Sequence, residues 1–235
     1  MSTSDTKISS TPVAQLDNEV LRAIADRRSL RQYKPGPVPR ELLEQLAIMT
    51  RWAPSNWNSQ PWRMYFFDTK KEIELLCDGM EKRAEKALAD AEDRHFHHFV
   101  EHCMSYFYVV RQSPVVVAMF YKPFAPRMEE VVAEYFGDET RGMGWNPNLI
   151  SYGMAAQNML LAAHSMGLGG CFHSGPVAFL NGYIHDILGL HPKLNFGGLI
   201  TLGWPDPAEV PGSQSKRKKL GLFMRYADER IQEKK

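Results

Sequence analysis

Ala53-Pro54-Ser55-Asn56-Trp57-Asn58-Ser59-Gln60-Pro61-Trp62 sets two tryptophans, two asparagines, two serines, a glutamine and two prolines within ten residues. The stretch joins two different patterns. Before it, Leu42, Leu43, Leu46, Ala47 and Met49 repeat at helical spacing over 41–52. After it, 63–67 is a short aromatic strand pattern. Side-chain amides offer a donor and an acceptor together, which is what reading the edge of a heterocycle requires. Tryptophan adds a flat apolar wall. An Asx-type turn between helix and strand accounts for the same residues more plainly, although a turn rarely needs two tryptophans.

Upstream, Val20, Leu21 and Ile24 predict a helix over 17–26, followed by Arg27-Arg28-Ser29-Leu30-Arg31 and a Pro-Gly-Pro turn at 35–37. Three guanidinium groups and a hydroxyl in five residues suit a phosphate, because arginine presents a planar donor fork. The alternative is a solvated helix end whose cations offset the helix dipole. Downstream, 71–108 has a charged helical pattern, and the β-branched run 115–120 predicts a buried strand. The clearest helix is 148–166, with Asn146-Pro147 as its start and Gly167 as its stop. Its apolar residues lie almost all round, which predicts burial on every side, within the chain or against a second subunit. A glycine-rich turn is expected at 167–175, a short helix at 183–188 and a strand at 196–202. Gly197 and Gly198 in that strand imply a close approach to the backbone. The tail from 205 is loop-like and ends in a charged helix.

Hydrophobic residues make up 44% and charged residues 23% of the 235, an ordinary balance for a soluble globular chain that buries a core without disulfides or metal. A net charge of +1 argues against nucleic acid as a partner of the whole molecule. Cys77, Cys103 and Cys171 are odd in number and far apart, which fits a reducing cytoplasm. No apolar run is long enough to span a membrane, and the polar N-terminus is not a secretory signal. Residues 1–15 are expected to be mobile and 16–235 to form one domain. A variable lid or excursion is expected within about 80–147.

In this order and spacing, the pieces resemble the FMN-dependent nitroreductase family. Its Arg-x-Ser-x-Arg/Lys segment is followed, about a helix later, by an APSxxNxQPW-like segment, here 53–62. The likeness continues in the helix segment 153–163, in Gly167-Leu168-Gly169-Gly170-Cys171, in Leu188-Gly189-Leu190 and in the strand 198–203. It spans most of 22–225. The resemblance implies an α+β fold: three layers, a central mostly antiparallel sheet flanked by helices, in an intertwined homodimer. It implies FMN at the subunit interface and a C-terminal exchange segment at about 205–235.

By position, it implies FMN phosphate and pyrimidine-side contacts from Arg27, Arg28, Ser29 and Arg31. It implies flavin-ring contacts from Pro54, Ser55 and Asn58, with Gln60 close by. Gly170, Cys171, Phe172 and His173 then lie against the reactive face, and Arg217 in Lys216-Arg217-Lys218-Lys219 closes on the phosphate. The activity implied is a ping-pong reductase. NADH or NADPH gives hydride, and a small nitroaromatic or quinone-like acceptor takes it. No residue is fixed as catalytic. His173 is a candidate for proton delivery because imidazole titrates near neutral pH.

Other readings attach to particular features. His95, His97, His98 and His102 crowd one helix, and His98 and His102 share a face, yet the spacing lacks a third ligand; no metal is expected. Histidines lining an aromatic substrate site explain the cluster as well. The basic run 216–219 without interleaved aromatics is a weak nucleic-acid signal. A reductive dehalogenase resembling iodotyrosine deiodinase requires a lid, for which 124–146 is available. A non-catalytic FMN-binding module is the alternative of another class.

Overall fold

Residues 18–124, 126–137, 146–206, 218, 222–224 and 226–227 are described in a computed structural model. In chain order the elements are α1 (Glu19–Asp26), α2 (Arg40–Thr50), β1 (Trp62–Phe67), α3 (Lys70–Asp90), α4 (Arg94–Met104), α5 (Phe107–Gln112) and β2 (Val115–Tyr121). There follow α6 (Pro126–Phe136), α7 (Pro147–Ser165), β3 (Gly169–His173), α8 (Pro176–Leu180), α9 (Tyr183–Leu188) and β4 (Asn195–Gly203). The four strands form one antiparallel sheet in the order β1-β2-β4-β3.

Alternation along β2 organises the interior. Val115, Val117 and Met119 pack with α2 and α7, while Val116, Ala118 and Phe120 pack with α3, α5, α8 and α9. Both faces of the strand are covered, which is why its sequence is a continuous apolar run rather than an alternating one. The α+β architecture, a sheet between two helical layers, is thus the expected one.

The helix ends follow their caps. Asn18 accepts from the backbone N–H groups of Val20 and Leu21 and starts α1. Thr69 and Glu72 form a capping box at the start of α3. The predicted helical stretch 71–108 is three helices: Asp93 restarts the chain as α4 by accepting from His95 and Phe96, and a further break at Ser105-Tyr106 precedes α5. Within 80–147, β2 belongs to the sheet and α6 is helical.

The predicted turn at 167–175 needs correction. Gly169–His173 is an edge strand paired with β4, so the turn proper is confined to the residues before it. Its glycines are there for space: a Cβ on Gly170 would stand 3.0 Å from Leu202 Cδ2 and 3.2 Å from the Thr201 carbonyl oxygen. On β4 the expected close approach is made by the Tyr152 ring at Gly197 and by the His173 carbonyl at Gly198, which has φ +145°.

Within the single chain α7 is buried on one side only, which leaves the second-subunit alternative for the other side. Tyr152, Ala155, Ala156, Met159, Leu160 and Ala163 are buried, while Ile150, Gly153, Met154 and Gln157 form an exposed stripe at helical spacing. Leu149 is exposed beside it.

Gly197→Ala tests the packing of the central helix on the sheet. The added methyl would lie 2.6 Å from Tyr152 Oη, and a loss of about 1–3 kcal/mol in urea unfolding is expected. Unchanged stability would mean that Tyr152 does not rest on β4.

Candidate functional site

Residues 29–34 run along the open edge of the sheet. Leu30 N donates to Gly170 O at 3.1 Å, Ser29 bridges Gly170, and Lys34 N donates to Trp204 O at 2.9 Å. Below them, the Thr201 hydroxyl lies 2.8 Å from Tyr33 Oη and 3.0 Å from His173 Nε2, and it donates to Cys171 O at 3.4 Å. The basic segment is therefore held against β3 by backbone bonds and by one buried side-chain node.

The three arginines have different surroundings. Arg28 Nη1 donates to the carbonyls of Ala25 and Arg27 at 2.5 and 2.9 Å, so Arg28 closes the C-terminal end of α1. That arrangement is the one the helix-end alternative describes. Arg27 Nε and Arg31 Nε are buried donors without a protein partner. Leaving such donors open is costly, on the order of 1–3 kcal/mol each. Arg31 also lies over the Tyr106 ring, with its guanidinium carbon 5.6 Å from the centroid. Ser29 is exposed.

A cavity of about 290 Å³ opens at this point. Arg31 lines it from the basic segment, Phe172 and His173 from β3, and Phe99, His102, Cys103 and Tyr106 from α4 and the turn after it. Ser174, Gly175 and Pro176 complete one wall. Sequence reasoning missed the α4–α5 wall except through its histidines. His102 packs edge-on against Tyr106 with ring centroids 5.4 Å apart, and His97 Nε2 is 2.6 Å from the Ala91 carbonyl. Among the described residues, no three His, Cys, Asp or Glu side chains are gathered as a metal site.

His173 is buried at 7% exposure. Burial first, and the Arg31 charge second, push its pKa down to about 4. It is neutral at neutral pH, a hydrogen-bonding group rather than a charged proton source. Burial raises the Cys171 thiol, against the opposing pull of Arg31, so that cysteine is not an activated nucleophile.

The second predicted segment lies elsewhere on α7. Asn56 N donates to Ser151 Oγ at 3.1 Å, Ser55 Oγ accepts from Gln60 N at 3.1 Å, and Gln60 Nε2 donates to Asn58 Oδ1 at 3.2 Å. Trp57, Asn58 and Gln60 have φ of 49°, 52° and 43°. Asparagine tolerates this left-handed region, whereas tryptophan and glutamine there cost about 1 kcal/mol or more each. Trp57 is 83% exposed, so its own packing does not offset that strain. Pro54, Ser55, Asn58 and Gln60 do not line the 290 Å³ cavity. The loop is clipped at Ser151, whereas Gly170 of β3, with which the arginine segment pairs, rests near Leu160. Nine residues of helix separate those anchors by roughly 14 Å. Arg217 lies outside the described residues, as does most of 205–235.

An antiparallel sheet between helical layers, with an arginine-bearing segment held along its edge strand, is a nitroreductase-like fold. Residues 24–204 match the Nitroreductase family, and the chain belongs to it. YfhC of Bacillus subtilis (strain 168), whose name places it with the NAD(P)H nitroreductases, is 21% identical over 192 residues, 81% of this chain and 87% of its own. The BluB-like flavoprotein from Clostridium difficile 630 is 22% identical with a TM-score of 0.73, over 89% of this chain and 99% of that one. The FMN-dependent nitroreductase NfnB from Mycobacterium smegmatis, solved with NADPH, is 19% identical with a TM-score of 0.62, over 88% and 96%. At these identities the two solved structures share the fold with this chain.

The depressed His173 pKa has a stability signature. Between about pH 6.5 and 4 the unfolded chain binds more protons at this position than the folded one, so stability falls as the pH drops through that window. The wild type should lose on the order of 3 kcal/mol more than His173→Gln between pH 7 and pH 4. Parallel losses in urea titrations across that range would show that His173 protonates as readily folded as unfolded.

Proposed function

We propose that this chain is an FMN-dependent oxidoreductase that takes hydride from NADH or NADPH and reduces a small organic acceptor, such as a nitroaromatic or a quinone. The observation that carries the reading is the pair of buried, unpartnered donors, Arg27 Nε and Arg31 Nε, beside the backbone of β3. Fixed guanidinium donors without a protein acceptor fit an anionic, oxygen-rich group, and FMN presents a phosphate and a pyrimidine edge. The residues present therefore fit the cofactor.

FMN, when bound, supplies two-electron hydride acceptance and donation. The protein's part is to bind, orient and exclude water. Arg27 and Arg31 would hold the phosphate and the pyrimidine-side oxygens, with the Ser29 hydroxyl adding a donor. The backbone from Gly170 to His173, stiffened by pairing with β4, forms a rigid wall for the ring. Neutral His173 offers a hydrogen bond and holds Thr201 in place. The donor and the acceptor occupy the same cavity in turn, which is the ping-pong order.

The roughly 14 Å between the two anchors on α7 supports a site assembled from two copies of the chain. In a homodimer, Pro54, Ser55, Asn58 and Gln60 of one copy would meet the arginine cradle of the other, with Gln60 and Asn58 reading the flavin edge. Apolar exposure supports the same assembly. α1 and α2 both pack against α7, and all three leave apolar residues uncovered: Val20, Leu21 and Ile24, Ile48 and Met49, then Leu149, Ile150 and Met154. Gly153 in the α7 stripe has nothing within 4 Å of its Cβ position, so a second backbone has room to approach.

Residues 16–235 are proposed as one domain, with 205–235 as the exchanged segment and Arg217 closing on the phosphate. No helix among the described residues is long and apolar enough to cross a membrane. The free thiols of Cys77, Cys103 and Cys171 support a cytoplasmic setting.

Arg27→Ala with Arg31→Ala should weaken FMN binding about a hundredfold, at one to two charge-assisted hydrogen bonds per guanidinium, as read by fluorescence titration of the stripped protein. Arg28→Ala should change it severalfold at most. Wild-type affinity in the double variant would mean that the phosphate binds elsewhere. Ile150→Glu with Met154→Glu should give a monomer by analytical ultracentrifugation, with FMN lost alongside. A dimer that survives both charges would show that the α7 stripe is not the interface.

A further inference from the structure

A second cavity, of about 480 Å³, opens between α3, α4 and α8. Phe96 and Phe99 of α4 and Phe179 of α8 form its walls, and Arg83, Lys86 and Asp90 of α3 stand around it. Phe99 also lines the 290 Å³ cavity that holds Arg31 and His173. The two cavities therefore meet at one side chain. Phe96 and His102, one in each lining, are about 9 Å apart along α4.

The chemistry of this second lining is specific. Phe96 and Phe99 are apolar yet exposed, so they offer aromatic surface to a planar ligand. Arg83 and Lys86 are three residues apart and share a face of α3. Farther up the same helix, Glu74, Asp78 and Glu81 are engaged by Arg111, whereas Arg83 and Lys86 turn to the cavity. Arg83 Nη2 donates to Asn181 O at 3.3 Å, which ties the guanidinium to the end of α8 and leaves its other donors open. Asp90 adds an acceptor suited to a ribose hydroxyl or an exocyclic amine. Aromatic faces, a pair of cations and one carboxylate together match an adenosine phosphate: a purine to stack, phosphate oxygens for the cations, and a hydroxyl or amine for the carboxylate.

We propose that this cavity binds the adenosine-phosphate half of the hydride donor, whose nicotinamide half enters the Arg31–His173 cavity past Phe99. The proposal rests on the FMN oxidoreductase reading for the identity of that donor. It adds a site that lies outside the flavin cradle and assigns Arg83 and Lys86 to nucleotide binding.

Calorimetric titration of the FMN-loaded protein with 2′,5′-ADP and with 5′-ADP tests it. At least one should bind, more weakly as salt rises, and its affinity should fall on the order of tenfold or more in Arg83→Gln with Lys86→Gln. Tighter 2′,5′-ADP marks the 2′-phosphate of NADPH as the ligand, and tighter 5′-ADP marks the pyrophosphate side shared with NADH; either supports the site. Phe96→Ala, at an exposed position, should weaken the same ligand severalfold through lost stacking. Absence of binding by both nucleotides, or equal affinity in the charge variant and the wild type, overturns the proposal. Flavin absorbance of the same samples reports separately on the oxidoreductase reading: a protein that cannot take up FMN loses that reading, whatever the nucleotides do.

Discussion

The hydroxyl of Thr201 sits completely buried in β4 and bonds to three residues on two other segments: Tyr33 after the basic run, and Cys171 and His173 on β3. A buried hydroxyl is tolerable only when it is satisfied, so these segments are held in one arrangement. The consequence reaches the sheet edge. β3 is a short edge strand, and residues 29–34 cover it and run on beside the end of β4. Arg27 and Arg31 are thereby carried by the sheet itself rather than by a free loop. Their buried donors are fixed before any ligand arrives, which is what a tight anion site requires.

α7 links this edge to the rest of the molecule. One side fills the core against β2 and β4, its C-terminal part supports β3 through Leu160, and its N-terminal part clips the strained Trp57–Gln60 loop through Ser151. The same helix presents an uncovered apolar stripe with Gly153 in it. A single element thus sets the distance between the two halves of the proposed cofactor site and supplies the surface on which a second copy would bring them together. Backbone strain at Trp57 and Gln60 fits a loop shaped for a ligand rather than for its own stability.

Much of the architecture was legible in the residues, and the reasons are physical. β2 announced itself because a strand covered on both faces must be apolar at every position. α7 did so through Asn146-Pro147 at one end and Gly167 at the other. β3 was misread because Gly169 and Gly170 look like turn residues, whereas they are small to fit Leu30, Leu160 and Leu202. The division of 71–108 lay in two breaks, the Asp93 cap and the Ser105-Tyr106 turn, whose signals are weak inside a charged helical pattern. Of the site, the arginine run was visible, but which guanidinium caps α1 and which stay open is a tertiary fact. Thr201 left one trace that a closer reading could use, a lone hydroxyl in the apolar run Leu199-Ile200-Thr201-Leu202. His102 and Tyr106 reach the cavity only because the end of α4 is brought against Arg31 and Gly175, and no local pattern encodes that.

The account stands on FMN occupying the arginine cradle and exchanging electrons there with a nicotinamide donor. The most direct measurement is the visible spectrum of the purified, FMN-reconstituted protein during anaerobic titration with NADH or NADPH. The account predicts a bound-flavin spectrum, one FMN per chain, that bleaches on addition of one equivalent of a donor and recovers with a quinone or a nitroarene. A protein that stays colourless after reconstitution, or a bound flavin that neither nucleotide bleaches, would contradict it.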